Sequence, residues 1–169
     1  RGDEPPRLLA WLDIAEADIE LRIGDPALAA TLVARAEQLY KNSSEPQWLD
    51  WLNPHQLSTM KADVLLSLGR DAEAISVLQR ITRDAPSPKH RALAHADLAA
   101  ICAAQQDPQS ACTHLHEALD ELVDTWHEAV DIRIRQARNQ LEPWNNTPAV
   151  EALDQRLYTW TTALEVTTQ

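Results

Sequence analysis

Apolar residues recur three and four positions apart through most of the chain and never alternate with polar ones over the length of a strand. This periodicity predicts eight helices, over 6–23, 26–40, 54–68, 71–84, 88–105, 108–123, 125–141 and 148–164. Prolines mark most of the starts. Five of the ten follow a good capping residue: Asp25-Pro26, Asn53-Pro54, Ser87-Pro88, Asp107-Pro108 and Thr147-Pro148. A side-chain oxygen at the cap accepts from an orphan N–H, and proline suits the first helical position because its missing donor would have no partner there. Gln56, three residues past Asn53, adds a capping-box partner. Most connections are two to four residues long, which makes neighbouring helices antiparallel, while 41–53 and 142–147 are longer. The fold class expected is all-α.

An internal register runs through the first six helices. Gly24, Gly69 and Gln106 each end the first helix of a pair. Five residues later stand Ala29, Ala74 and Ala111; nine later, Val33, Leu78 and Leu115; twelve later, Ala36, Ile81 and Ala118. Seven residues before the reference stand Ala17, Ala62 and Ala99. Small residues belong where two helices of a hairpin cross closely, and larger ones fill the space between hairpins. These columns resemble the tetratricopeptide repeat, most fully in Ala62-x6-Gly69-x4-Ala74-x3-Leu78-x7-Pro86. The copies are 45 and 37 residues apart, against a nominal repeat of about 34, so they are degenerate and carry insertions. The resemblance implies one domain over 1–169, with repeats at 8–40, 54–86 and 88–123 and a divergent capping pair at 125–164. Its expected architecture is a right-handed stack of four antiparallel helical hairpins, an α-solenoid.

Three further stretches carry a closer resemblance. They are Leu39-Tyr40-x5-Pro46-x-Trp48-x2-Trp51-Leu52-x4-Leu57-Ser58, Arg91-Ala92-Leu93-x4-Leu98-Ala99, and Arg133-x-Arg135-x5-Leu141-x-Pro143-x3-Thr147-Pro148-Ala149-Val150-x2-Leu153-Asp154. In this order they resemble the C-terminal sensor region of actinomycete helix-turn-helix transcriptional regulators. The resemblance implies an intracellular regulatory domain that recognises a peptide, a small molecule or another protein. Nothing before Arg7 could house a helix-turn-helix, so the DNA-binding part is not in this sequence and the regulator reading rests on association. By analogy with the repeat family's groove positions, Trp11, Asp18, Arg22, Gln56, Thr59, Asp63, Leu66, Leu93, Ala96, Ala100 and Ala103 are expected to face a concave groove. Asp18 and Asp63 are equivalent in the repeat frame, and a pair of carboxylates there suits an amine or a Lys/Arg side chain. The bland alternative is solvated carboxylates and alanines that only permit close packing. Family members that clamp a C-terminal carboxylate use Lys, Asn and Arg where this chain has Asp, Thr and Ala, which argues against that mode.

Charge and composition narrow the partners. A net charge of −11, with Asp3, Glu4, Asp13, Glu16, Asp18 and Glu20 in the first twenty residues, repels phosphate backbones and disfavours direct nucleic-acid binding. No apolar run reaches the ~20 residues of a membrane span, and the N-terminus lacks the layout of a signal peptide. Two cysteines without a Cys-x-x-Cys pair suit a reducing cytoplasm.

The candidate chemistry is sparse. There is no Gly-rich phosphate loop, Gly-x-Ser-x-Gly, His-Glu-x-x-His or calcium loop, so neither catalysis nor a cofactor is expected. His95, Cys102, Cys112 and His116 are the residues that could hold zinc, though cysteines in an apolar helix pair more often serve as small buried hydrophobes. His114 diverges from His116 on its helix and is expected to add nothing. Arg133, Arg135 and Arg138 form the one basic cluster, expected to pair along the surface as Asp131–Arg135 and Arg138–Glu142, with a site for an anion or an acidic partner as the alternative. Trp48 and Trp51 either dock a partner or pin the inserted segment to its hairpin. The alternative to a binding domain is a scaffold whose partner is its own copy in a homodimer.

Overall fold

The computed structural model describes residues 5–43, 52–122 and 127–167. Among them there are eight α-helices and no strand: α1 (Pro6–Ile23), α2 (Pro26–Lys41), α3 (Pro54–Ser67), α4 (Asp71–Asp84), α5 (Pro88–Ala104), α6 (Pro108–Asp120), α7 (Glu128–Asn139) and α8 (Pro148–Thr167). None of the described helices is long and apolar enough to cross a membrane. All five capped prolines occupy the first helical position. Asp25 and Asp107 accept from Leu28 N–H and Ser110 N–H, and Asn53 with Gln56 closes a full capping box. Ser87 makes no side-chain cap, and the Thr147 hydroxyl donates instead to the Trp144 carbonyl, tying α8 back to the 3-10 turn Glu142–Trp144.

The turns at the three reference positions share one backbone. Gly24, Gly69 and Gln106 all have left-handed φ, at 92°, 70° and 61°, and Gln106 is the one described non-glycine residue with positive φ. In each, the next N–H reaches back five residues: Asp25 to the Glu20 carbonyl, Arg70 to Leu65 and Asp107 to Cys102, at 2.8, 2.8 and 2.9 Å. This closure satisfies carbonyls that the helix end would otherwise orphan. The other columns are as uniform. Ala17, Ala62, Ala99, Ala29, Ala74 and Ala111 are fully buried, and Val33, Leu78, Leu115, Ala36, Ile81 and Ala118 lie in the interior beside them.

The chain divides into two compact units, Arg1–Ile81 and Thr82–Gln169. In the first, α1 and α2 form an antiparallel hairpin with α3 packed against both. One cluster joins Ala17, Ala29, Leu32, Val33 and Val64; another joins Ala10, Ala36, Leu52 and Leu57, and Ile14 packs on each. Lys61 of α3 donates to Glu37 of α2 at 2.9 Å, and the Arg7 guanidinium lies 5.2 Å from the centre of the Tyr40 ring.

In the second unit α5 and α6 form the hairpin, α7 lies on α5 and α8 on α6, around a shared apolar cluster. Leu115, Leu119, Leu122, Ile134, Leu141 and Leu153 are its largest members, each stabilising the fold by about 1.5–3 kcal/mol through burial. Arg91 braces the hairpin. Its guanidinium holds Glu121 through two bonds of 2.8 and 2.6 Å and donates to the Ala85 carbonyl at 2.6 Å.

Candidate functional site

A concavity in the first unit lies along α1 and α2. It is a groove of about 650 Å³, lined by Leu9, Leu12, Ala15 and Ile19 of α1 and Leu39 of α2, with Asp13, Glu16 and Arg35 among the apolar groups. The helical period places Leu9, Leu12, Glu16, Ile19 and Ile23 on one stripe of α1. Ile14 and Leu21, by contrast, pack into the core towards α3. The stripe is therefore left over after the hairpin has packed: Leu12, Ile19 and Ile23 are 47%, 57% and 71% exposed. Within the groove Asp13 is 4% exposed and bound by both Nε and an Nη of Arg35. The half-exposed Arg35 meets the charge of a carboxylate that α1 has drawn into its interior, and the charge of Glu16, on the same wall, also reaches that guanidinium.

The groove positions expected from the repeat family fall in various settings. Trp11 is exposed, and Asp18 binds Arg22 at 3.0 Å on the surface of α1. Gln56 serves the capping box by accepting from Asn53 N–H, and the Thr59 hydroxyl donates to the His55 carbonyl. Asp63 and Leu66 are half-buried. In the second unit Ala96 and Ala103 are interior members of the apolar cluster, with Leu93 and Ala100 packed against it. Trp48 and Trp51 lie outside the described residues.

The four residues weighed for zinc are not brought together. Cys112 is buried in the apolar cluster, Cys102 packs at its edge, and burial pushes both thiols up from their ordinary range. His116 turns to the Arg156 guanidinium at 3.2 Å, and burial, then Arg156, holds it below the usual histidine range. His114 is the residue that meets His95. Their Nδ1 atoms are 3.4 Å apart, and both approach one carboxylate oxygen of Glu117, at 2.9 Å from His114 and 3.0 Å from His95. Burial keeps His95 below its ordinary range although Glu117 opposes the shift. Among the described residues these three are the only such group with metal-binding potential. Comparing histidines along α6 alone hid the pairing, because the partner arrives from α5.

The arginine cluster is also spoken for. Arg135 pairs with Asp131 as expected, at 2.9 Å, and Arg133 bridges to the buried Asp97 at 3.2 Å. Arg138 does not take Glu142. It grips Asp154 of α8 through two bonds of 2.5 and 2.7 Å and Asn145 through a third, because α8 crosses within reach of its fork. Three guanidiniums bound to carboxylates leave little for an external anion.

No family model, curated protein or solved structure matches the chain.

Proposed function

We propose that this chain is a tetratricopeptide-like interaction module, a right-handed stack of four helical hairpins that binds a protein segment and catalyses nothing. It would act as the partner-sensing part of a bacterial transcriptional regulator. The observation that carries the binding role is the α1/α2 groove, with its exposed Leu12 and Ile19 and the acidic Glu16 between them. That pattern suits an amphipathic helix presenting apolar residues at i, i+3 or i+4, and i+7, with a Lys or Arg opposite Glu16. The net charge of −11 favours a basic partner over nucleic acid or a second copy, which would bring like charge against like.

A direct test is fluorescence anisotropy with a labelled fifteen-residue amphipathic peptide carrying a central Lys, beside its Glu twin, with sedimentation of the protein alone. The reading expects 1:1 binding of the Lys peptide, weaker binding of the Glu peptide, and loss of both in Leu12→Asp/Ile19→Asp. A monomer that binds neither peptide ends it. A dimer dissolved by the same double substitution replaces it with the self-assembling scaffold.

A further inference from the structure

The His95, His114 and Glu117 cluster lies in the second unit. Its three donor atoms come from two helices locked into one hairpin. His114 and Glu117 are three apart on α6 and share a face, while His95 projects from α5. His95 Nδ1, His114 Nδ1 and Glu117 Oε2 form a triangle with sides of 3.4, 2.9 and 3.0 Å.

We propose that His95, His114 and Glu117 form a binding site for a divalent first-row transition metal of the zinc type, with its fourth position open to water. A tetrahedral centre with bonds of about 2.0–2.1 Å sets its ligands roughly 3.3 Å apart. A cation bonded at that length to all three donors stands about 1 Å above their plane, given sides of 3.4, 2.9 and 3.0 Å. The ligands need move only by tenths of an ångström. Two imidazoles and one carboxylate suit zinc, cobalt, nickel or copper, whereas magnesium and calcium prefer cages of oxygen. Glu117 is 46% exposed on its side chain, so the site has an entry path and room for a water ligand. Cys102 and Cys112 take no part.

The site acts as a clip between α5 and α6. Because all three donors are positioned by the fold, the metal binds the folded chain preferentially and raises its thermal midpoint.

The test is titration of the chelator-treated full chain with Zn²⁺ and with Co²⁺, followed by calorimetry, thermal unfolding and visible absorption. One equivalent of zinc should bind, and the midpoint should rise by several degrees. Cobalt should give the d–d bands of a four-coordinate nitrogen and oxygen site, without a thiolate charge-transfer band. Glu117→Gln and His114→Ala should each weaken binding at least tenfold while melting near the metal-free parent, and Cys102→Ser should leave binding unchanged. Absence of a 1:1 event, a thiolate band, or affinity that survives Glu117→Gln combined with His114→Ala would each overturn the site. A variant too unstable to compare is replaced by His95→Gln, read by the same cobalt spectrum.

Discussion

Helices α1 and α5 open their hairpins in the same register, Ala17 and Ala99 standing seven residues before the two turns, yet they are buried very differently. In α1 the interior takes Ala10, Asp13 and Ala17, while Trp11, Leu12, Ile19 and Ile23 are left in solvent. In α5 the interior takes residues from every side of the helix, among them Ala92, Ala94, Leu98 and Ala103. The shared column fixes only where a helix crosses its partner. What the remaining faces do depends on side-chain size: alanines let α5 be surrounded closely, whereas bulky residues on α1 exceed what one hairpin can cover. Large apolar groups left over in this way mark the surface worth testing for a partner.

The comparison breaks most decisively through the cores. Leu115→Ala, at a fully buried position on α6, should cost about 2–5 kcal/mol in urea unfolding. Ile19→Ala on the exposed stripe should stay within about 0.5 kcal/mol. A comparable loss from both would mean that the α1 stripe is core rather than surface. Smaller effects come from the shared turn. Gly24→Ala should cost about 1 kcal/mol, since its φ of 92° strains any side chain although no atom lies within 4 Å of an added Cβ. Gln106→Gly should gain about 0.5–1 kcal/mol by relieving the same strain. Opposite signs in the two melting curves are the result to look for.

The least pronounced difference should appear in acid. The Arg91 hydrogen bonds hold Glu121 below the usual carboxylate range, so the unfolded chain takes up this proton first. Its stabilisation is complete above the unfolded value of about 4.3 and is lost as pH falls through the lower folded value. Glu121→Gln should therefore melt below the parent at pH 7, with the gap closing in acid. A gap that stays constant down to about pH 2 would show that the Arg91–Glu121 pair has no such linkage.

Much of the helical layout was legible because the punctuation is local. An N-cap oxygen followed by proline acts within one turn, so α2, α3, α5, α6 and α8 begin where Pro26, Pro54, Pro88, Pro108 and Pro148 stand. Only α7, which lacks such a mark, starts three residues later than its periodicity suggested, at Glu128. The sites were less legible because they depend on distant pairs. Asp13 meets Arg35 across 22 positions and His95 meets His114 across 19, separations with no period to read. A usable signal lay in α1, whose apolar residues point in more directions than a single packing face requires. The Arg138–Glu142 expectation failed for a related reason, since a helical spacing competes with any carboxylate that another helix brings closer.

The left-handed turn at Gln106 bears on how such chains drift over time. Glycine is the easiest residue for that conformation, but the hydrogen bond from Asp107 to Cys102 holds the shape when another residue replaces it. The replacement forfeits a modest amount of stability, which a well-filled interior can absorb. A lineage can therefore lose the letter while it inherits the bend. The dihedral angle, rather than the glycine, is then what records such a turn.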